Sequence, residues 1–398
     1  MSLTEDLLGI AQERMTPNYN PAKFILDKGD GARVWDVDGN EYLDFTSGIA
    51  VNSLGHAHPK VVAAIQEQAA KLSHTSNVFH HEPYLRMCEL LCEKSFGERV
   101  FLCNSGAEAV ELSLKMARLY FHSRGETRTE FVTTVGGFHG RTLGALSVTH
   151  NPKYREGFEP LMPGCTSIPF NDLEAAQAAI GPQTAAIIVE PIQGNSGVAI
   201  PDAGYLDGLR AICDDAGALF ICDEIQTGGG RTGKWFDYQW SSIKPDIMPL
   251  AKAIGGGMPL GAVVTTEAVS EPLVVGKHGS TYGGNPVACR AGLETFKVLE
   301  DEGLLQAATE RGRHLCDALE TLKAKHPHVV TVRGRGLMIG VELSVEARPV
   351  YVAARKHGLL VTMAGTNVLR ILPPLNVTVE QIEQCVSRLD ATLSDVFG

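Results

Sequence analysis

The sequence predicts an α/β fold built on a mostly parallel central sheet, with a smaller α+β domain beside it. Three observations carry this prediction. Uniformly apolar runs of strand length recur between about residues 99 and 264: Val100-Phe-Leu-Cys103, Phe131-Val-Thr-Thr134, Ala186-Ile-Ile-Val189 and Leu219-Phe-Ile-Cys222. Such runs suit strands covered on both faces. They alternate with segments of helical period, the rhythm of a parallel sheet with crossover helices. Glycine supplies 42 of 398 residues, a surplus that implies tight turns and close backbone approaches where a sheet meets a small ligand.

Taken in order, Arg33 to Phe45 alternates apolar and polar residues around Asp38-Gly39 and reads as a hairpin. With no neighbouring strands of its own, it is expected to pack on the C-terminal part. A helix follows Pro59, with Val62, Ile65 and Ala69 placed on one face. After the apolar strands, the pattern changes at Pro286 to a long helical stretch reaching about Lys325. Strand-like Val329–Arg333, Gly340–Leu343 and Leu369–Leu372 come next, then a final helix from Thr378. Arg333-Gly-Arg-Gly-Leu-Met-Ile-Gly340 lacks the G-x-G-x-x-G spacing of a nucleotide loop and reads as a turn between strands. The expected organisation is an N-terminal segment and hairpin, residues 1–50, packing with a C-terminal small domain, residues 286–398. The large domain between them spans residues 51–285.

Composition excludes several classes. Lys and Arg number 35 against 46 Asp and Glu, a net charge of −11 with no basic block. That is a poor match to a nucleic-acid backbone or an anionic membrane surface. No run approaches the ~18 apolar residues of a membrane span. Met1–Arg14 carries Glu5, Asp6 and Glu13 and lacks the pattern of a signal peptide, so a cytoplasmic location is expected. The nine cysteines are scattered without a C-x-x-C pair, as reduced thiols would be. His56, His58, His80 and His81 lack completing ligands at metal-site spacing, so no metal is expected.

Chemistry concentrates in three places. Ala218-Leu-Phe-Ile-Cys-Asp223 is an apolar strand ending in an acid at the ligand-binding edge of a parallel sheet. A cap or an ion pair is the alternative for that acid alone. Lys252 lies between apolar residues, just before Gly255-Gly-Gly257. An amine in such surroundings loses proton affinity and can act on a carbonyl, although a lone lysine of this kind is more often a snorkelling surface side chain. Asn104-Ser-Gly-Ala-Glu108 joins a strand to a helix, and free amides with the helix dipole could hold a phosphate there. A Schiff-base lysine, a ring-nitrogen acid and a phosphate cradle are what pyridoxal 5'-phosphate requires. A nicotinamide-dependent oxidoreductase would need a glycine fingerprint with an acid ~20 residues on, and none is present.

Six motifs occur together, in order: Asn104-Ser-Gly-Ala-Glu-Ala, Gly137-Phe-His-Gly-Arg-Thr142, Glu190-Pro-Ile-Gln-Gly, Cys222-Asp-Glu-Ile-Gln-Thr-Gly, Leu250-Ala-Lys-Ala-Ile-Gly-Gly-Gly-Met-Pro and Gly279-Ser-Thr-Tyr-Gly-Gly-Asn-Pro286. With them the chain resembles the class III, ornithine-type aminotransferases of fold type I, over nearly its whole length. The resemblance implies that Lys252 holds the cofactor and shuttles a proton, and that Asp223 pairs with the pyridine nitrogen. It places Phe138 and Ile225 on the ring faces, Gln226 on the phenolic oxygen, and Ser105, Gly106 and Ala107 on the phosphate. Ser280 and Thr281 would reach the phosphate from a second subunit, which implies a homodimer with shared sites. Arg141 would take the α-carboxylate of an acylated ornithine and then the side-chain carboxylate of 2-oxoglutarate. Arg370 would take the α-carboxylate of glutamate or 2-oxoglutarate, and Glu190 would pair with Arg370 and mask it. His139, beside Phe138, is a candidate for the pocket wall. The implied reaction moves the δ-amino group of N2-acetylornithine to 2-oxoglutarate in arginine biosynthesis. Succinylornithine, free ornithine and 4-aminobutyrate are the alternative donors, and Tyr19 is the residue that could favour free ornithine.

Overall fold

The computed structural model describes residues 2–398. Near the N-terminus, strands β1 (Leu26–Asp30), β2 (Arg33–Asp36) and β3 (Glu41–Asp44) form an antiparallel ribbon. The hairpin at Asp38-Gly39 is thus present, but β1 gives it a neighbour that the sequence pattern did not announce. Leu-Asp-Lys-Gly-Asp is polar and mostly exposed, so no alternation marks it as a strand.

The large sheet holds β4 (Arg99–Cys103), β5 (Glu130–Thr134), β6 (Cys165–Ile168), β7 (Thr184–Val189), β8 (Leu219–Cys222), β9 (Ile247–Leu250) and β10 (Gly261–Thr265). Their spatial order is β4-β10-β9-β8-β7-β5-β6. The pairs β5–β6, β5–β7, β7–β8 and β8–β9 are parallel, whereas β10 runs antiparallel to both β9 and β4. Every residue of β7 to β10 is buried, which is why these segments are apolar without alternation. The same uniformity hides the reversed direction of β10. Successive residues serve opposite faces: Ile187, Val189, Phe220 and Cys222 pack in one core cluster. Ala186, Ile188, Leu219 and Ile221 pack in the other, the period of two expected of a strand.

The small-domain sheet holds β11 (Val329–Arg335), β12 (Met338–Leu343), β14 (Thr362–Ala364) and β15 (Val368–Ile371), in the order β11-β12-β15-β14. The remaining short strand β13 (Leu359–Leu360) pairs in parallel with β3. Ala32, Leu43 and Phe45 accordingly share one core with Leu369, Ile382 and Leu389.

Two helical expectations shift. The helix Pro59–Lys71 buries Val61, Ala64 and Gln68, while Val62 is 36% exposed. Both residue sets have helical spacing, and packing against the helix Pro286–Asp301 selects the one turned by one position. The long stretch after Pro286 is two helices, Pro286–Asp301 and Leu304–Glu320, separated at Gly303 in a left-handed conformation. Among the described residues, no helix is long and apolar enough to cross a membrane.

Candidate active site

Because β10 is antiparallel to β4 and β9, strands β4, β5, β7, β8 and β9 all point the same way. Their carboxyl ends line one edge of the sheet, where open α/β folds bind ligands. Each end delivers a piece of the site. After β8, the buried Asp223 donates its amide to Val189 at 2.8 Å. One carboxylate oxygen lies 2.7 Å from His139 Nδ1, and the other accepts the Ile225 amide at 3.1 Å. His139 is itself buried, its amide bonded to Thr149 Oγ1 at 2.9 Å and its Nε2 3.4 Å from Thr133 Oγ1. The imidazole therefore fixes the direction of the Asp223 carboxylate from behind.

Lys252 follows β9 and opens a single turn, Lys252–Gly255. Its φ is +49°, a conformation that costs a non-glycine residue of order 1 kcal/mol or more and persists only where the surroundings impose it. Burial pulls the amine down to about 8, and Arg370 adds to this by repulsion. Glu190 and Asp223 act in the opposite sense. The lysine so held gives up its proton far more readily than a solvated lysine and is a free nucleophile above about pH 8.

After β4, Ser105 caps the helix Gly106–His122 by accepting the Glu108 amide at 3.2 Å. Gly106 and Ala107 then carry first-turn amides that no intrahelical carbonyl can reach. A Cβ on Gly106 would come within 2.8 Å of Ile225, so only glycine lets this turn approach the cavity wall. The cavity measures about 280 Å³ and is lined by Gly106, Ala107, Phe138, His139, Arg141, Glu190, Asp223, Ile225, Gln226 and Lys252, among others. A wider groove of about 400 Å³ beside Arg118 and Leu273 has no comparable convergence of acid, amine and amides.

The two arginines differ sharply. Arg141 is exposed, its guanidinium carbon 3.5 Å from the centre of the Tyr154 ring and 5.6 Å from that of Phe138. Arg370 is 3% exposed and bonds Gly194 O at 2.8 Å, Asn195 Oδ1 at 2.7 Å, Gln226 Oε1 at 3.1 Å and Thr362 Oγ1 at 3.1 Å. Burial lowers it to about 10, against the pull of Glu190. The expected Glu190–Arg370 pair is not formed. Glu190 instead accepts the amides of Phe138 at 2.9 Å and Gly194 at 3.2 Å. Burial pushes Glu190 up to about 7, and the nearby Asp223 adds to that. A carboxyl satisfied by backbone amides has no need of the guanidinium, which finds neutral acceptors one step away.

Several expected residues stand apart from this cavity. Tyr19 is 76% exposed, and neither it nor Arg370 contributes to the lining. Ser280 Oγ accepts the Gly283 amide at 3.0 Å and Asn104 Nδ2 at 3.2 Å, whereas Thr281 is exposed. Neither touches the cavity of its own chain. Sequence reasoning undervalued His139, although its place beside Phe138 was a signal. It missed Tyr154 and Asn195, for which no spacing gave notice.

The donor set fits pyridoxal 5'-phosphate: an amine of lowered proton affinity, a buried carboxylate at a strand end, and two free amides where a Cβ would block approach. Comparisons with known proteins agree. The family described as aminotransferase class III matches residues 14–393. An acetylornithine aminotransferase from Vibrio vulnificus is 44% identical over 393 residues, covering 98% of each chain. Among solved structures, the ornithine aminotransferase of Toxoplasma gondii is 35% identical with a TM-score of 0.95, covering 100% of this chain and 96% of that one. The N-acetylornithine aminotransferase of Stenotrophomonas maltophilia is 37% identical with a TM-score of 0.84, covering 98% of each.

Proposed function

The chain belongs to the class III aminotransferases, which are pyridoxal-phosphate-dependent transaminases, and we propose that it carries the δ-amino group of N2-acetylornithine to 2-oxoglutarate. The products would be N-acetylglutamate 5-semialdehyde and glutamate, within arginine biosynthesis in the cytoplasm. One observation carries the reading: one cavity joins Lys252, Asp223 and the exposed Arg141, and the buried Arg370 stands just behind its wall, bonded to the lining residue Gln226. The names of the relatives supply the donor.

The cofactor, when bound, supplies an aldehyde for condensation with amines and a ring that accepts negative charge from a carbon losing its proton. Lys252 Nζ would hold it, Asp223 would face its ring nitrogen, and Ser105 with the amides of Gly106 and Ala107 would hold its phosphate. Phe138 and Ile225 would flank the ring. Gln226 has its Oε1 engaged by Arg370, which leaves its amide nitrogen to donate to the ring oxygen. The freed Lys252 amine, held near neutrality by burial, is suited to take a proton from the amine-bearing carbon and return it. Arg141, open to solvent and stacked on Tyr154, would bind the single carboxylate of the donor in bidentate fashion. Arg370 would take the α-carboxylate of the acceptor, exchanging its neutral partners for the anion. Glu190 lies close enough to weigh on both Arg370 and Lys252, and its own charge would tune which ligand is admitted.

Ser280 and Thr281, turned away from their own cavity, would serve the phosphate of a partner in a homodimer. The chain would divide into residues 1–50, 51–285 and 286–398, the first packing with the last. Ranking kcat/KM for acetylornithine, succinylornithine, ornithine and 4-aminobutyrate with 2-oxoglutarate tests the substrate, and acetylornithine is expected to lead. A clear preference for 4-aminobutyrate would overturn the pathway while leaving the chemistry.

A further inference from the structure

Among the described residues, Arg231 is the largest fully buried side chain, with 0% of its surface exposed. No carboxylate lies within ion-pair distance of it among the described residues. Nη1 donates to Leu337 O at 3.0 Å and to Pro373 O at 2.5 Å, while Nε and Nη2 have no partner. Burial lowers this guanidinium to about 9. An uncompensated buried cation is costly, and two carbonyl bonds are all that its side chain obtains in return.

Both carbonyls belong to the small domain, at one end of one strand pair. Leu337 immediately precedes β12 and Pro373 lies two residues beyond β15. In that pair Ile339 faces Ile371 and Gly340 faces Arg370. Arg231 thus grips the same strand pair three residues along from the position where Gly340 faces Arg370. The bond is returned by the backbone, since Leu337 N donates to Arg231 O at 3.0 Å. The approach is close: a Cβ on Gly336, whose φ is +55°, would meet Arg231 O at 2.6 Å. On its other side Arg231 sits on the segment that also bears Asp223 and Gln226, and Gln226 is itself bonded to Arg370. A second contact crosses the same seam, where Arg335 of β11 meets the buried Asp237 at 2.7 Å.

We infer that Arg231 is a positioning residue for acceptor recognition, tying the strand pair that carries Arg370 to the loop that carries Asp223 and Gln226. The inference rests on the reading of Arg370 as the acceptor-carboxylate residue. It separates the two halves of the reaction, because Lys252 and Arg141 lie on other segments of the large domain and Asp223 has its own bonds there to His139, Ile225 and Val189.

The test uses the cofactor-loaded enzyme and the variants Arg231→Lys, Arg335→Gln and Arg370→Lys. KM for 2-oxoglutarate and the single-turnover rate with acetylornithine alone are measured for each. Arg231→Lys is expected to raise KM for 2-oxoglutarate at least about tenfold, because a small misplacement of a binding group is expensive, and to leave the donor half within about twofold. A parallel loss in both halves, or no change in either, overturns the inference. Should Arg231→Lys fail to fold, Arg335→Gln carries the same criterion from the outer side of the seam. An unchanged KM in Arg370→Lys removes the reading of Arg370 and this inference with it. An unchanged KM in Arg231→Lys alone removes only the tie.

Discussion

The edge of the large sheet and the face of the small-domain sheet contribute to the site in different ways. The large sheet supplies groups at five strand ends, each within a few residues of a buried strand. Their positions follow from the strands, and the bonds that refine them are short-range in space, as between His139 and Asp223. The small sheet supplies one guanidinium, Arg370, from mid-strand. Its position depends on how one domain sits on the other, and it is held by Gly194, Asn195 and Gln226 from across the seam. The difference suggests a division of labour: the large sheet holds what both half-reactions need, and the domain seam holds what only the acceptor needs.

The comparison breaks first at Lys252. Lys252→Ala should cost at least about a thousandfold in kcat, as loss of a nucleophile and proton carrier does, and should abolish the visible absorbance of the bound cofactor. A variant that keeps both the absorbance and turnover would show that the large-sheet edge is not the catalytic half.

A weaker effect sharpens it. Tyr154→Ala removes the platform under Arg141, and KM for the donor should rise about twofold to fivefold, a loss within the range of one exposed cation–π contact. KM for 2-oxoglutarate should rise by a similar factor, because Arg141 would also take its side-chain carboxylate, and steady-state kinetics with both substrates varied checks both.

The smallest effect is one of pH. Lys252 is held down to about 8 from an ordinary 10.5, so in the folded protein it is free above about 8 while the unfolded chain keeps its proton up to 10.5. The folded apoprotein then binds fewer protons than the unfolded chain between these values, and its stability gains with rising pH across them. The rate at which apoprotein regains cofactor absorbance should likewise climb through about pH 8. A rate that is flat from about pH 7 to pH 9 would place the amine in solvent rather than in the cavity.

Much of the large-domain half was legible in the residues. Asp223, Lys252 and the Ser105–Ala107 turn lie directly after apolar runs that can only be buried strands, so sequence order nearly places them. The helix face at Pro59–Lys71 was misplaced by one residue because helical spacing permits two faces and the packing partner chooses. The strand β1 was missed because its residues are polar and its pairing is its only signature. The Glu190–Arg370 pair failed for a related reason. Opposite charges in nearby motifs suggest a pair, but the amides of Phe138 and Gly194 reach the carboxyl first.

By itself the sequence determined which strands are buried, which of their ends bear an acid, an amine and free amides, and hence the cofactor chemistry available. Those properties are local, set by apolar run length and by the residue that follows. Only the tertiary structure decided that β10 runs backwards so that β4 and β9 share an edge, that His139 stands behind Asp223, and that a buried Arg231 holds the strands of Arg370. These are matters of strand direction and of contacts between residues far apart in the chain, for which neither period nor composition carries a signal.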